Sequence, residues 1–390
     1  MSCYISSNNN RYYVGLETSF GAVSALSGNR RIPALQLSAS QQMEQIQRRD
    51  KIGGRTFSGH PTGLRKRTSY TLRTLLTGWT DQTAEPCYGP LFQAGLGGAA
   101  VISPAGTVQS AQDASSIQFT NPHGLSVGQA LVCSNEIRFV SGVIDQSTVR
   151  VNSPFSLIPV AGSPIGRTAT YFPSDTLSSV SLFDYWSPAT AVQRIMFGAA
   201  VDTMRIKVNA DYHEFEFRGP AKSMTDNVSF SAGIGALTDF PPEPAQASWD
   251  YSIIPGHLGQ AWLGGVPTQF FSVTAADITI DNNLDMRVRE FGSEYPQCIV
   301  PGERNVSVNF SLYSSDDTAT NDLYAAARQG SPVPMMFQLG QQAGQLFGIY
   351  LKSVKFDVPE FKDSDKRLEW EFINCRAEGI TNDEIFIAFG

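Results

Sequence analysis

Apolar and polar side chains change places residue by residue along much of this chain. That period of two admits β-strands with one buried face and excludes amphipathic helices over the same stretches. Tyr70, Leu72, Thr74 and Leu76 share one strand face. Val306, Val308, Phe310 and Leu312 share another, opposite Asn305, Ser307, Asn309 and Ser311. Met204, Ile206 and Val208 alternate with Arg205 and Lys207, and Phe215 and Phe217 with Glu214 and Glu216. Scattered through these runs are 34 Gly and 22 Pro, the turn residues that many short strands need. Helical signals are confined to two places. Ser315-Asp316-Asp317 caps a helix through Leu323 and Ala325 to Arg328, with Gly330 as its stop; a shorter candidate runs from Pro90 to Leu96 and ends at Gly97-Gly98. The expected fold class is mainly β with one or two helices.

The strands recur in an order. Phe197-Gly198 followed by Met204, Ile206 and Val208 matches Phe347-Gly348 followed by Val354, Phe356 and Val358. After a turn, Glu214-Phe215-Glu216-Phe217 matches Glu369-Trp370-Glu371-Phe372, the second turn (Pro359 to Lys366) being longer than the first (Asn209 to Tyr212). Upstream, Leu35 and Leu37 align with Ile278 and Ile280, and the Tyr70 strand with the Val306 strand; a candidate helix follows each. The expectation is one β unit present twice. Unit one spans 1–107, with an N-terminal arm and a long loop at 41–67, and resumes at 173–225. Between these parts, 108–172 reads as a small inserted β domain on the periphery, because its short strands are set off by turns such as Asn121-Pro122-His123-Gly124. A linker covers 226–272 and unit two covers 273–390.

Enzymatic chemistry has no foothold in this pattern. The four histidines (His60, His123, His213, His257) lie far apart, and none has a neighbour at metal-ligand spacing. Gly95-Leu96-Gly97-Gly98 and Gly233-Ile234-Gly235 lack the strand–loop–helix setting of a nucleotide fingerprint. Cys3, Cys87, Cys133, Cys298 and Cys375, an odd number with no Cys-x-x-Cys, read as free thiols. No catalytic, cofactor-binding or metal residue is expected, and no cofactor. No run approaches the ~20 apolar residues of a membrane helix, so no membrane contact is expected. The start lacks the form of a signal peptide, so a product that is cytoplasmic when made is the expectation.

Charge is distributed by region. The net charge of −7 resolves into +6 over residues 1–107, −1 over 108–222 and −12 over 223–390. Opposite ends on one chain suit head-to-tail association of identical subunits. Two features stand out. Glu214 and Glu216, like Glu369 and Glu371, face away from the aromatic side of their strands; a solvated outer face explains one such pair, but both copies carry it. A long Arg-rich segment from Gln41 includes Arg48, Arg49, Lys51, Arg55, Arg65, Lys66 and Arg67, and its counterpart in the second copy spans about Asp281 to Arg304. It has none of the interleaved aromatics of a single-strand nucleic-acid binder, which favours a protein partner.

Several segments resemble the tail tube (major tail) proteins of long-tailed bacteriophages. They are the opening Val14-Gly15-Leu16-Glu17-Thr18-Ser19-Phe20-Gly21, the long loop after the Leu35 strand, the Gly89-Pro90-Leu91-Phe92-Gln93-Ala94-Gly95-Leu96-Gly97 stretch, and the segment from Phe197-Gly198 to Gly219. The resemblance implies β-sandwich units with a flanking helix that close into a ring around a β-barrel lumen, and rings that stack into a virion tube conducting DNA from capsid to host. For a doubled chain it implies a homotrimer with pseudo-sixfold symmetry, meeting other tail proteins only at the tube ends. Glu214, Glu216, Glu369 and Glu371 are then lumen-lining candidates, twelve carboxylates per trimer, repelling DNA phosphates at close range because screening limits the field to ~8 Å. Arg48, Arg49, Lys51, Arg55, Arg65, Lys66 and Arg67 are candidates for contact between stacked rings. Two other readings stay open: a distal-tail or baseplate hub component built on the same unit, and a carbohydrate-binding β protein.

Overall fold

A computed structural model describes residues 4–44, 50–57, 59–60, 65–188, 190–245, 252–364 and 366–390. The chain opens with β1 (Arg11–Leu16), β2 (Arg31–Ile32), β3 (Ala34–Met43) and β4 (Lys66–Leu75), followed by helix α1 (Gly89–Leu96) and β5 (Val101–Ser103). Six strands then form a separate closed barrel: β6 (Gly106–Asp113), β7 (Ser116–Phe119), β8 (Ala130–Cys133), β9 (Glu136–Val143), β10 (Thr148–Val151) and β11 (Pro164–Gly166). After β12 (Thr168–Tyr171) come β13 (Val180–Tyr185), β14 (Arg194–Ala199), β15 (Thr203–Val208), β16 (Glu214–Ala221) and β17 (Ser223–Asp226). The last third holds β18 (Gly259–Leu263), β19 (Thr268–Phe270), β20 (Val273–Asp281), β21 (Asp285–Met286), β22 (Ile299–Val300), β23 (Asn305–Tyr313) and helix α2 (Thr318–Gln329). It ends with β24 (Val333–Leu339), β25 (Phe347–Lys355), β26 (Glu360–Ser364), β27 (Arg367–Ala377) and β28 (Phe386–Phe389). The protein is mainly β, as its alternation dictates.

Two sandwich units share one pairing scheme. In the first, an outer sheet β2-β1-β13-β14-β17 covers an inner run β3-β4-β16-β15. In the second, an outer run β19-β18-β24-β25-β28 folds over β20-β23-β27-β26 and stays joined to it where the end of β25 pairs with β27. The helix falls at the same place in each, after β4 and after β23. Even an irregularity is shared: β3 bulges between Ala34 and Gln36 against β4, and β20 bulges between Val273 and Ala275 against β23. A bulge interrupts the ladder and adds twist, so its appearance at matching positions is a property of the unit.

Four expectations need correction. By strand pairing β15 answers to β26, not to the stretch 354–358, and Leu37 answers to Ala276, not to Ile280. Residues 259–270 are not connector: β18 and β19 lie in the second unit's outer sheet, where they hold the places of β1 and β2. Residues 359–366 do not form a longer turn: β26 pairs with β27 there, Lys362 opposite Glu369 and Ser364 opposite Arg367. The inserted block ends before 172, since β12 leaves the barrel to pair with β28 and β5.

Both units share a core. Helix α1 is buried almost throughout, with Pro90 in its first turn and Gly97 at a positive φ just past its end. Its Phe92 meets Phe215, Phe217, Phe347, Phe389 and Tyr171 at ring-centroid distances of 5.3–5.8 Å, side chains drawn from both units. Helix α2 is amphipathic, capped by Asp317, which accepts from Thr320 N at 2.7 Å, and stopped by Gly330 at φ 62°.

The Val14–Gly21 motif is organised by one buried carboxylate. Glu17 accepts from Gly21 N (2.8 Å), Ser179 Oγ (2.6 Å), Ser181 Oγ (2.7 Å) and Gly198 N (2.7 Å). Gly15 is required nearby, since a Cβ there would lie 2.1 Å from Ser24 Oγ.

His213 is the opposite case. It is 1% exposed, and neither ring nitrogen has a hydrogen-bond partner among the described residues. It borders a cavity of about 290 Å³ lined also by His257, Phe270 and Phe337. Burial pushes its pKa down to about 4. The unfolded chain, titrating near 6.5, therefore binds this proton more readily than the folded one, and stability falls as pH drops from about 6.5 towards 4. The loss attributable to His213 reaches roughly 3 kcal/mol at pH 4. Urea midpoints measured across that interval should decline for the natural chain and flatten for His213→Phe; parallel curves would refute the assignment.

Candidate assembly surface

The inner strands of both units join edge to edge. β15 of the first pairs antiparallel with β20 of the second, Lys207 opposite Asp277, Ile206 opposite Ile278 and Met204 opposite Ile280. The result is one run of eight antiparallel strands, β3-β4-β16-β15-β20-β23-β27-β26. Polar contacts fix the junction. Arg205 Nε donates to Asp277 Oδ1 at 2.7 Å, and Asn282 Nδ2 donates to the carbonyls of Gly95 and Val201 at 2.9 Å. Leu284 N donates to Asp202 Oδ1 at 2.8 Å.

One face of this run is apolar and buried; the other is polar. The four glutamates lie on the polar face, where alternation put them, each partly buried and each partnered. Glu214 receives Arg73 at 2.8 Å and Glu216 lies 3.9 Å from the same guanidinium. Glu371 pairs with Lys362, and Glu369 accepts from Thr274 Oγ1 at 3.1 Å. The carboxylates raise the pKa of their cations, Glu214 that of Arg73, Asp277 that of Arg205 and Glu371 that of Lys362. Water screens such pairs, so they arrange charge more than they hold the fold. Arg205 and Lys207 were legible on this face from their alternation with Met204 and Ile206. Arg73 and Lys362 were not singled out, and the signal was available for Arg73 in its alternation with Leu72 and Thr74.

The basic loop splits into three groups. Arg48 and Arg49 lie outside the described residues. Lys51 and Arg55 are exposed. Arg65, Lys66 and Arg67, at the loop's base, meet neighbours within the chain. Arg65 reaches the Glu290 carbonyl at 3.5 Å, Lys66 stands 5.6 Å from the Tyr295 ring, and Arg67 is 4.0 Å from Glu44. Residues Arg289, Glu290 and Tyr295, after β20, thus lie against Glu44, Arg65 and Lys66 at the two ends of the loop after β3.

The inserted barrel is docked on unit two. Arg138 of β9 is fully buried, and its five N–H donors all find acceptors. They are Pro154 O (3.0 Å), Ile137 O (2.8 Å), Gln338 Oε1 (3.0 Å), Glu136 Oε2 (2.7 Å) and Gln260 Oε1 (2.8 Å). Phe155 and Trp262 flank the guanidinium at 5.2 and 5.1 Å. Burial pushes its pKa down to about 10, still charged at neutral pH. Around it, Ile137 and Phe139 pack with Trp262, Met336, Leu346 and Phe386.

Among the described residues no group of three or more His, Cys, Asp or Glu is placed to hold a metal. No helix among the described residues is long and apolar enough to cross a membrane. What the geometry presents is a run of strands with a patterned polar face, whose end strands β3 and β26 each have a partner on one side only among the described residues. No match is found among curated proteins. The family model described as "Phage tail tube protein" matches residues 7–366, nearly the whole length over which these strands, helices and loops extend. The chain therefore belongs to the phage tail tube protein family, structural proteins of the virion tail.

Proposed function

We propose that three copies of the chain close into a ring with pseudo-sixfold symmetry, and that rings stack head to tail into the hollow tube through which the phage genome leaves the capsid. The observation that carries this reading is the eight-strand run itself. Its two ends, β3 and β26, each have a partner on one side only among the described residues, and antiparallel alternation leaves them running in opposite directions. Open edges are a liability that closure removes. Three chains supply roughly 24 strands, which at ~4.8 Å spacing give a backbone circle about 37 Å across before strand tilt widens it. The matched pairing and shared bulge support a duplication, with units at 11–226 and 259–389, the barrel set into the first and the connector reduced to 227–258. Fusing two units halves the number of chains to be ordered, and with it part of the association cost.

The polar face would line the bore. Its glutamates then form rings of ion pairs, because Arg73, Arg205 and Lys362 are already bonded to carboxylates. Cations already held by carboxylates are less available to passing phosphates, which favours sliding of DNA over its retention. Between rings, Lys51 and Arg55, exposed in the basic loop, would meet the acidic second unit of the next ring, together with Arg48 and Arg49 by the charge pattern of the sequence.

Electron microscopy of purified protein tests the reading. Long hollow tubes with threefold end-on averages are expected. Single rings that never lengthen would favour the distal-tail or hub alternative, and solitary globules without a central hole at high concentration would end the proposal.

A further inference from the structure

Resting on that ring, we propose that its seam repeats in trans the junction that β15 and β20 make in cis: β26 of one protomer pairs antiparallel with β3 of the next, with Lys362 opposite Ser38, Phe361 opposite Ala39 and Glu360 opposite Ser40.

The register follows from pairings within the chain. Lys207 faces Glu214 in the first unit as Lys362 faces Glu369 in the second, so these lysines are equivalent. Phe217 faces Leu72, and Phe372 faces Phe310, which equates Leu72 with Phe310. Their next partners outward are Leu37 and Ala276. Ser38 is then the counterpart of Asp277, and because Lys207 faces Asp277, Lys362 faces Ser38. By the same step the Ile206–Ile278 pair becomes Phe361–Ala39.

The two edges are complementary: β3 is unguarded, and the charges of β26 would meet polar side chains across the seam. β3 is ten residues long and holds no charge and no proline, the devices that keep natural edge strands from pairing. Its outward row Gln36, Ser38, Ser40 and Gln42 supplies neutral donors and acceptors for Glu360 and Lys362. On the apolar face, Ile206 is fully buried by its junction while Phe361, its equivalent, is 52% exposed, resting on Tyr324 and Trp370 with its other side uncovered. Opposite it, Ala39 leaves room for the ring. The alternating strand directions also fit, since β26 and β3 stand in the same relation as β15 and β20. A second copy of this chain is the occupant that matches one edge to the other.

Disulfide capture reads the register. Directly opposed residues in an antiparallel pair bring their Cα atoms to about 4.5–5.5 Å, within disulfide range, whereas a diagonal offset of two residues takes them to roughly 7–8 Å and out of it. Assembled Ser38→Cys/Lys362→Cys protein, mildly oxidised, should run as covalent dimers and trimers on a non-reducing gel, forming at least tenfold faster than in the shifted pair Ser38→Cys/Glu360→Cys. Ser40→Cys/Glu360→Cys should behave as the matched pair does, and each single variant gives the background of the native thiols. Equal or faster capture by the shifted pair, or none by either matched pair in particles that microscopy shows to be rings, overturns the register and leaves the ring standing. Natural chain that forms no rings overturns both.

Discussion

Replacing Arg138 with alanine is expected to destabilise the chain by about 3–5 kcal/mol, the usual consequence of stripping one partner from a buried charge pair. The loss has three physical parts. Glu136 keeps its charge but loses the Arg138 contact at 2.7 Å, and Gln260 and Gln338 each lose a donor in a dry interface. The space between Phe155 and Trp262 empties. Because these groups sit where the barrel meets β18 and β24, the barrel should come away before the sandwiches unfold. A lowered denaturation midpoint together with new proteolytic cuts flanking 106–166 is the expected signature. Arg138→Met with Glu136→Gln should recover part of the loss, since it removes the charge and refills the volume. An unchanged midpoint for Arg138→Ala would show that the cluster does not hold the barrel.

The second large effect is on assembly. Phe361→Lys should abolish tube formation at concentrations a hundredfold above those at which the natural chain assembles, with little change in unfolding. Phe361 lies on an edge strand and is half exposed, with Tyr324 and Trp370 as aromatic neighbours, so its replacement costs the isolated chain little. At a closed seam the ammonium would have to be buried against Ala39 without a counter-ion, which costs several kcal/mol at every joint. Ala39→Arg attacks the same seam from the other side and should act alike. Sedimentation velocity and negative staining distinguish the outcomes. Tubes of ordinary length from either variant would show that the ring closes elsewhere.

Much of this architecture was legible in the residues because inner strands have one wet and one dry face. The faces of β20, β23 and β16 followed from that alternation, and α2 from its cap and its glycine stop. β26 escaped because Pro359 and the charges of Glu360, Lys362, Asp363 and Lys366 mimic a turn; an edge strand with charge on both sides carries no period of two. β18 and β19 escaped because they are short and joined through Gly264-Gly265. The buried hubs were the least visible. Arg138 sits among Glu136, Ile137 and Phe139 like an outward residue of an ordinary strand, and two of its acceptors, Gln260 and Gln338, are more than a hundred positions away. Glu17 likewise finds Ser179, Ser181 and Gly198 only after folding. A lone charge declares itself buried only through partners that the chain order hides.

The presence of one barrel for every two units has a consequence for the exterior of the proposed tube. Inside the proposed ring the wall repeats at sixty-degree steps, but the barrel recurs only every hundred and twenty. Successive rings would carry three raised ribs separated by three bare furrows, and any sheath, fibre or receptor approaching from outside would register against that coarser thread.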